Sequence, residues 1–344
     1  MGRRKHWLNI AAAAAAIAGL STIVVKNLPG TAAHQLVNVS YDPTRELYQA
    51  LNPLFTESYE KASGRHLVVQ QSHGGSSRQA RKIISGEQPA DVVTLGLYSD
   101  IEALRKRGLI APDWADRLPN HSLPYTSTIV FVVRQGNPRG VKDWPDLLGP
   151  GLEVVTPDPR TSGSGKLAAL AGWAAIVATG AGDAEARAYL RSLYQQHVPA
   201  LEEGARGAAI SFAIQEIGDV HLTWENEALR EVAESRGKLQ IVYPPVSILA
   251  EPYVAWVDAA LTRPEKLEDA KAYLSFLFSD AAQDVVARLG YRPYKRDAAR
   301  RVGANFPALT LVPITDIARD WNDANEKFFA ENGVIDTIIG QRGK

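Results

Sequence analysis

Short apolar strands alternate with helical stretches along most of this chain of 344 residues. The first group has predicted strands over residues 36–41, 67–70 and 91–95, with predicted helices over 45–62 and 78–84 between them. A strand–helix–strand order predicts a mainly parallel sheet, because parallel neighbours need a crossover connection and a helix provides it. This alternation limits the fold to the α/β class.

A second group of elements follows later in the chain. It has predicted strands over 152–156, 219–224 and 239–243, and predicted helices over 166–178 and 184–196. Two β-branched runs, 126–133 and 248–257, lie between the groups, and we interpret each as a crossing from one group to the other. Two crossings predict two α/β lobes joined by a two-stranded hinge, with a ligand in the cleft between them.

The lobes can be assigned from these crossings. Residues 36–125 and about 250–295 are assigned to lobe 1, and residues 128–247 to lobe 2. Residues from about 296 to 344 form a C-terminal helical tail with a predicted helix over 314–332, and its packing partner is left open. A chain of this size with 45% hydrophobic residues can bury a core in each lobe.

The N-terminus has the features of a secretory signal peptide. Basic residues at positions 3–5 precede an apolar run over 10–25, and Thr31 and Ala33 supply the small residues of a cleavage site. We therefore expect residues 1–33 to be a signal peptide and the protein to be periplasmic. An uncleaved membrane anchor and a twin-arginine export route are the alternatives.

The charge balance and the lack of cysteine exclude several classes of function. The chain has 38 basic and 38 acidic residues; residues 1–33 hold four basic residues and no acid, so the remainder has 34 against 38, a formal charge of −4. No basic surface for nucleic acid is expected. Without cysteine there is no disulfide, no lipid attachment through cysteine and no thiolate metal site.

Four turns of small polar residues or glycine each come directly before a predicted helix. They lie at residues 40–44, 72–77, 161–165 and 204–207, and in the first of them Asp42 is predicted to be the N-cap. A helix start has unpaired backbone N–H groups and a partial positive charge, so it can bind an anion without a salt bridge. Four such starts, divided between the two lobes, indicate an anion in the cleft.

Other phosphate-binding and catalytic motifs do not fit. A P-loop would need glycine at Arg160 and Ser or Thr at Leu167. The histidines lack the spacing of metal ligands, so neither a metal nor a cofactor is expected. A hydrolase or transferase with Ser76 or Ser162 as nucleophile stays an alternative, for which only Lys166 or His73 lies near enough in sequence to be the base.

Eight segments resemble the periplasmic sulfate-binding proteins, and the likeness runs from about residue 36 to the C-terminus. They are 40–48 (SYDPTRELY), 71–76 (QSHGGS), 124–131 (PYTSTIVF), 204–207 (GARG), 218–220 (GDV), 224–229 (WENEAL), 247–252 (SILAEP) and 291–293 (YRP). The resemblance implies the two-lobed type II fold of periplasmic binding proteins. It also implies a receptor that delivers sulfate to the membrane permease of an ABC importer and carries out no reaction.

The resemblance also implies which groups hold the dianion. Backbone N–H groups would come from Asp42, Ser76, Gly163, Ser164 and Ala205, a hydroxyl from Ser162, and a ring N–H from Trp224. Arg206 would support its turn without touching the ligand. The sequence departs from the family at Ser164, where the family usually has glycine, and at residues 165–167, where Gly-Lys-Leu replaces Ala-Arg-Trp.

A site made only of donors selects sulfate, because the proton of hydrogen phosphate would meet no acceptor. Thiosulfate is the nearest alternative ligand, and these motifs do not separate it from sulfate. Molybdate, tungstate and phosphate are the next candidates. We expect a monomer, since the receptor has to dock on a transporter.

Overall fold

The structure is a computed structural model that describes residues 34–340, so the predicted signal peptide lies outside the described residues. Within that range, no helix has both the length and the apolar character needed to cross a membrane. The strands are β1 His34–Tyr41, β2 Leu67–Gly74, β3 Val92–Leu95, β4 Tyr125–Thr126, β5 Ile129–Arg134, β6 Val154–Pro157, β7 Leu201–Glu202, β8 Val220–Trp224, β9 Leu239–Val242, β10 Val246–Ile248, β11 Tyr253–Trp256, β12 Arg292–Pro293 and β13 Thr310–Val312.

The helices flank these strands. They are α1 Arg45–Ser63, α2 Ser76–Ser85, α3 Tyr98–Lys106, α4 Gly163–Ala178, α5 Asp183–Ser192, α6 Ala205–Ala209, α7 Glu225–Glu234, α8 Pro264–Phe276, α9 Asp280–Arg288, α10 Arg296–Val302, α11 Trp321–Ala324 and α12 Val334–Gly340. Short 3₁₀ helices lie at Asp42–Thr44, Trp114–Asp116, Trp144–Leu148, Asp258–Ala260 and Ile314–Asp316, and π-helical turns at Leu193–His197, Ile210–Ile214 and Asn325–Phe329.

The first sheet has the strand order β11-β3-β1-β2. Strand β1 is parallel to β2 and β3, as the alternation predicts, and β11 is antiparallel to β3. Helix α1 covers this sheet because Leu47, Leu51 and Phe55 recur every four residues and so form one buried face. It ends at Gly64, whose φ of 69° closes the last turn at little steric cost.

The second sheet has the order β7-β6-β8-β5-β9. Strand β6 is parallel to β7 and β8, whereas β5 is antiparallel to both β8 and β9. A mainly parallel sheet was the expectation, and this sheet is mixed. The direction of a strand depends on whether the preceding connection crosses over to the far end of the sheet or returns at the same end. A run of five or six apolar residues does not show which of the two occurs.

The two predicted crossings run side by side between the sheets. Ser127 and Ala250 exchange two backbone hydrogen bonds of 3.0 and 2.9 Å, and the Thr128 hydroxyl donates to the Ile248 carbonyl at 2.8 Å. Each run is interrupted there, the first between β4 and β5 and the second between β10 and β11. The paired segments therefore form a short two-stranded connection, and the predicted lobe boundaries stay a prediction.

The single helix predicted over residues 314–332 is wrong. This segment contains a 3₁₀ helix, then α11 and a π-helical turn, because Asp320 caps a new start by accepting from the Asp323 N–H at 2.9 Å and Asn332 has a φ of 63°. The tail packs against the helices of the second sheet, where the Phe328 and Trp173 rings meet edge to face with centroids 4.9 Å apart. Its strand β13 also pairs with β10.

The tail should contribute strongly to stability. Phe328 is 1% exposed, so Phe328→Ala leaves a cavity against Trp173 and should lower the free energy of unfolding by about 3–5 kcal/mol. Urea unfolding followed by circular dichroism measures this. Ile214→Ala is the control, since Ile214 is 75% exposed and its loss should change stability by less than about 0.5 kcal/mol. Equal effects of the two substitutions would contradict the packing.

Candidate anion-binding site

The four predicted helix starts meet at one small cavity. Two starts follow β1 and β2 of the first sheet, and the other two follow β6 and β7 of the second. Open α/β sheets bind ligands at these carboxyl ends of their strands. The cavity is lined by Tyr41, Asp42, Pro43, Gly74, Gly75, Ser76, Ser162, Ser164 and Ala205.

The predicted backbone donors all occupy first or second positions of helices. Ser76 begins α2, Gly163 and Ser164 begin α4, Ala205 begins α6, and Asp42 begins the 3₁₀ helix before α1. The first N–H groups of a helix have no carbonyl one turn earlier to accept from them. Backbone N–H groups without helical partners therefore lie around one cavity, in four separate turns.

Two serines in the cavity wall have different roles because their hydroxyls have different partners. The Ser162 oxygen accepts from the Gly165 N–H at 3.4 Å and caps α4, which leaves its proton for another acceptor. The Ser76 hydroxyl donates to Asp100 at 2.5 Å and its oxygen accepts from the Gly96 N–H at 3.0 Å. Ser162 can thus offer its hydroxyl to a ligand, whereas Ser76 has only its backbone N–H to offer.

Asp42 does not cap its helix, contrary to prediction. Tyr41 takes the cap position of the 3₁₀ helix, and the Asp42 carboxylate instead accepts from the Arg45 guanidinium at 2.8 Å. Its second oxygen lies against Gly204, where a Cβ would come within 2.9 Å of it. The 3₁₀ turn between β1 and α1 moves the cap position from Asp42 to Tyr41. It also places Asp42 next to the fourth turn, residues 204–207.

Trp224 and Gly163 stand just behind the cavity wall. Trp224 is buried at the end of β8, and its ring N–H donates to the Ser164 hydroxyl oxygen at 2.7 Å. Its ring centroid lies 5.1 Å from that of Tyr41. Gly163 packs so close to Ser76 that a Cβ on the glycine would lie 3.1 Å from the serine Cβ.

Arg206 lies apart from the cavity. Arg206 is exposed and lines a separate groove with Arg134 and Glu231. The expected role of Arg206 in supporting the 204–207 turn stays a prediction.

The cavity wall carries no cationic side chain among its lining residues, and its one charged group, Asp42, is paired with Arg45. Lys166 is directed elsewhere, with its ammonium 3.4 Å from Asn325 and over the Phe329 ring, and burial lowers its pKa. Burial also lowers the pKa of His73 to about 4, so this imidazole is neutral at pH 7. The wall therefore offers an anion neutral donors.

Sequence reasoning missed two acidic residues that hold the site. Asp100 is buried in the first turn of α3 and accepts from the hydroxyls of both Ser76 and Ser77, so it fixes the second turn. Glu225 follows Trp224 and receives two hydrogen bonds of 2.7 and 2.9 Å from Arg292. The segments around Trp224 and Arg292 are both among those that resemble the family, but no sequence signal connected them. For Asp100 no sequence signal indicates a role in the site.

No group of three or more His, Cys, Asp or Glu side chains within residues 34–340 could hold a metal ion.

The arrangement is suited to holding a small anion by hydrogen bonds, and comparison with known proteins agrees with it. The model of the family "Bacterial extracellular solute-binding protein" matches residues 37–292. The sulfate-binding protein of Escherichia coli K12 is 44% identical over 88% of this chain and 92% of its own length.

The chain belongs to the sulfate- and thiosulfate-binding family of bacterial extracellular solute-binding proteins. The thiosulfate-binding protein of Pseudomonas aeruginosa is 41% identical over 89% of this chain and 92% of its own length. The solved structure of the sulfate-binding protein SubI from Mycobacterium tuberculosis superposes with a TM-score of 0.78 at 32% identity, covering 86% of this chain and 99% of that one. The two-lobed type II fold is therefore confirmed.

The glycines where the turns meet should control how closely the sheets approach. A Cβ on Gly75 would lie 2.9 Å from the Thr161 carbonyl oxygen, so Gly75→Ala should hold the second and third turns apart. We expect faster hydrogen–deuterium exchange over residues 74–77 and 161–165, measured by mass spectrometry. Gly207→Ala is the matched control, because a Cβ there meets nothing nearer than 3.6 Å. Unchanged exchange in Gly75→Ala would contradict this packing.

Proposed function

We propose that this chain binds sulfate through neutral hydrogen-bond donors and delivers it to an ABC importer. The observation that carries the proposal is a single small cavity onto which four helix starts open, with no cation in its wall. A dianion taken from water has to recover its lost hydration, and backbone N–H groups at helix starts provide both donors and a favourable partial charge. The sulfate- and thiosulfate-binding relatives support the same class of ligand.

The donors proposed for sulfate are those expected from the resemblance. They are the backbone N–H groups of Asp42, Ser76, Gly163, Ser164 and Ala205 and the Ser162 hydroxyl. The seventh expected donor, the Trp224 ring N–H, donates to the Ser164 hydroxyl oxygen in this chain and would act through it. All of them are neutral. Their position at helix starts supports the backbone part of the set, and the cap at Ser162 supports its hydroxyl.

Phosphate is a second candidate because of one observation. Asp42 lines the cavity, and a carboxylate oxygen there could accept the proton of hydrogen phosphate. One of its oxygens already accepts from Arg45 and the other lies against Gly204. Sulfate is therefore favoured, since its four oxygens all act as acceptors.

The receptor cycle follows from donors on both sides of the cleft. We propose that residues 36–125 and about 250–295 form one lobe and 128–247 the other, so that the closed form is stable only with ligand between them. Arg78, beside the second turn, and Glu203, beside the fourth, form an ion pair between these two proposed lobes. The closed form would then dock, as a monomer in the periplasm, on a membrane permease.

The serine-dependent hydrolase is less well supported. The Ser76 hydroxyl is held by Asp100 and the Gly96 N–H. Lys166 contacts Asn325 in the tail. We therefore propose binding without a reaction.

Calorimetric titration of the chain from His34 onward, refolded free of ligand, tests the proposal. We expect tight one-to-one binding of sulfate and negligible binding of phosphate. Ser162→Ala should weaken sulfate binding by about 10- to 100-fold, because a hydrogen bond to a charged group is lost. Ser279→Ala is the matched control, since Ser279 likewise caps a helix, by accepting from the Ala282 N–H at 3.2 Å, and does not line the cavity.

Phosphate binding that is lost in Asp42→Asn would favour the phosphate receptor. A folded, ligand-free protein that gives no heat with sulfate would overturn the proposal.

A further inference from the structure

The contact between Trp224 and Ser164 alters how the tryptophan can act on a ligand. The Trp224 ring N–H is the only donor of the indole, and it donates to the Ser164 hydroxyl oxygen at 2.7 Å. Trp224 is 0% exposed and does not line the cavity, whereas Ser164 is 5% exposed and does. The serine hydroxyl therefore stands between the indole and the space where an anion would lie.

The hydrogen-bond capacity of the hydroxyl determines what it presents to that space. A serine hydroxyl has one donor and two lone pairs, and the bond from Trp224 occupies one lone pair. Within residues 34–340, the Ser164 hydroxyl proton has no hydrogen-bond acceptor. With its oxygen held by the indole, the hydroxyl is fixed in position and its proton is free to point into the cavity.

We propose that the Ser164 hydroxyl, oriented by Trp224, is a direct donor to the anion and makes this chain prefer sulfate over thiosulfate. This inference rests on the proposed function, because it concerns the same cavity. A hydroxyl that accepts a hydrogen bond from an N–H becomes a better donor. The indole N–H of Trp224 therefore strengthens the hydrogen bond that the Ser164 hydroxyl donates to the ligand.

The selectivity follows from what an O–H donor prefers. Thiosulfate has a sulfur atom in place of one sulfate oxygen, and sulfur is larger and a weaker hydrogen-bond acceptor. Ser164 lines the cavity, so its side chain occupies room that the longer anion would need. For the ligand atom that faces Ser164, both the smaller size and the stronger hydrogen bond therefore favour oxygen over sulfur.

The test is the ratio of thiosulfate Kd to sulfate Kd, measured by calorimetry on the wild-type chain and its variants. Ser164→Gly removes the hydroxyl and releases the Trp224 N–H, so we expect this ratio to fall by about tenfold, equivalent to about 1.4 kcal/mol. Ser164→Ala should also lower the ratio, because it removes the donor while keeping Cβ. Ser122→Ala is the matched control, since Ser122 is also buried but its hydroxyl donates to the Trp114 carbonyl at 3.0 Å away from the cavity, and the ratio should not change.

A double-mutant cycle with Trp224→Phe tests the coupling of the two side chains. In the wild-type background, loss of the N–H should weaken sulfate binding moderately, by about threefold. In the Ser164→Gly background it should weaken binding more, because the N–H then faces the ligand directly. Thermal unfolding checks that each variant is folded.

Ratios within twofold of the wild-type value in both Ser164 variants would overturn the proposal, and so would additive effects in the cycle. Either result would leave the proposed function intact if the wild-type chain binds sulfate. Failure of the wild-type chain to bind either anion would instead overturn the proposed function.

Discussion

The site depends on one constraint, which is that four helix starts with unpaired N–H groups are brought to one point. Helix starts carry partial positive charges, so bringing them together without an anion is unfavourable. The fold imposes this arrangement because each start follows a strand of one of two sheets, and the carboxyl ends of those strands meet at the cleft. Glycine at Gly75, Gly163 and Gly204 lets the opposing turns come close enough to share one cavity.

The charged groups around the cavity hold the donors in place, and the cavity wall itself stays free of cations. Asp100 fixes the second turn through two serine hydroxyls. Glu225, directly after Trp224, is paired with Arg292, and burial raises the pKa of this glutamate while the arginine opposes the shift. Such a buried pair contributes little net stability but is costly to break on one side. It therefore fixes the end of β8 where Trp224 lies.

Neutral donors divided between the two sheets suit the ligand-dependent closure that we propose. A salt bridge to the ligand would hold it tightly even in an open protein, whereas hydrogen bonds from both sides act together only when the sheets are close. The contact between Trp224 and Ser164 bears on the same question, because a hydroxyl can either donate or accept a hydrogen bond. The indole N–H donates to the Ser164 oxygen and so leaves the hydroxyl proton to face the ligand. The tail packs on the second sheet and shares its hydrophobic core.

The amino-acid sequence alone determined the α/β class, the two crossings and the positions of the four helix starts. These depend on local signals, such as the spacing of Leu47, Leu51 and Phe55 or the glycines before α2 and α6, which act over a few residues. Only the tertiary structure decided that β5 runs antiparallel to β8 and that residues 314–332 form short pieces against Trp173. It also decided that Asp42 accepts from Arg45 and that Trp224 donates to Ser164. These outcomes join residues 60 or more positions apart, or depend on one extra turn between strand and helix, and local patterns carry no record of either.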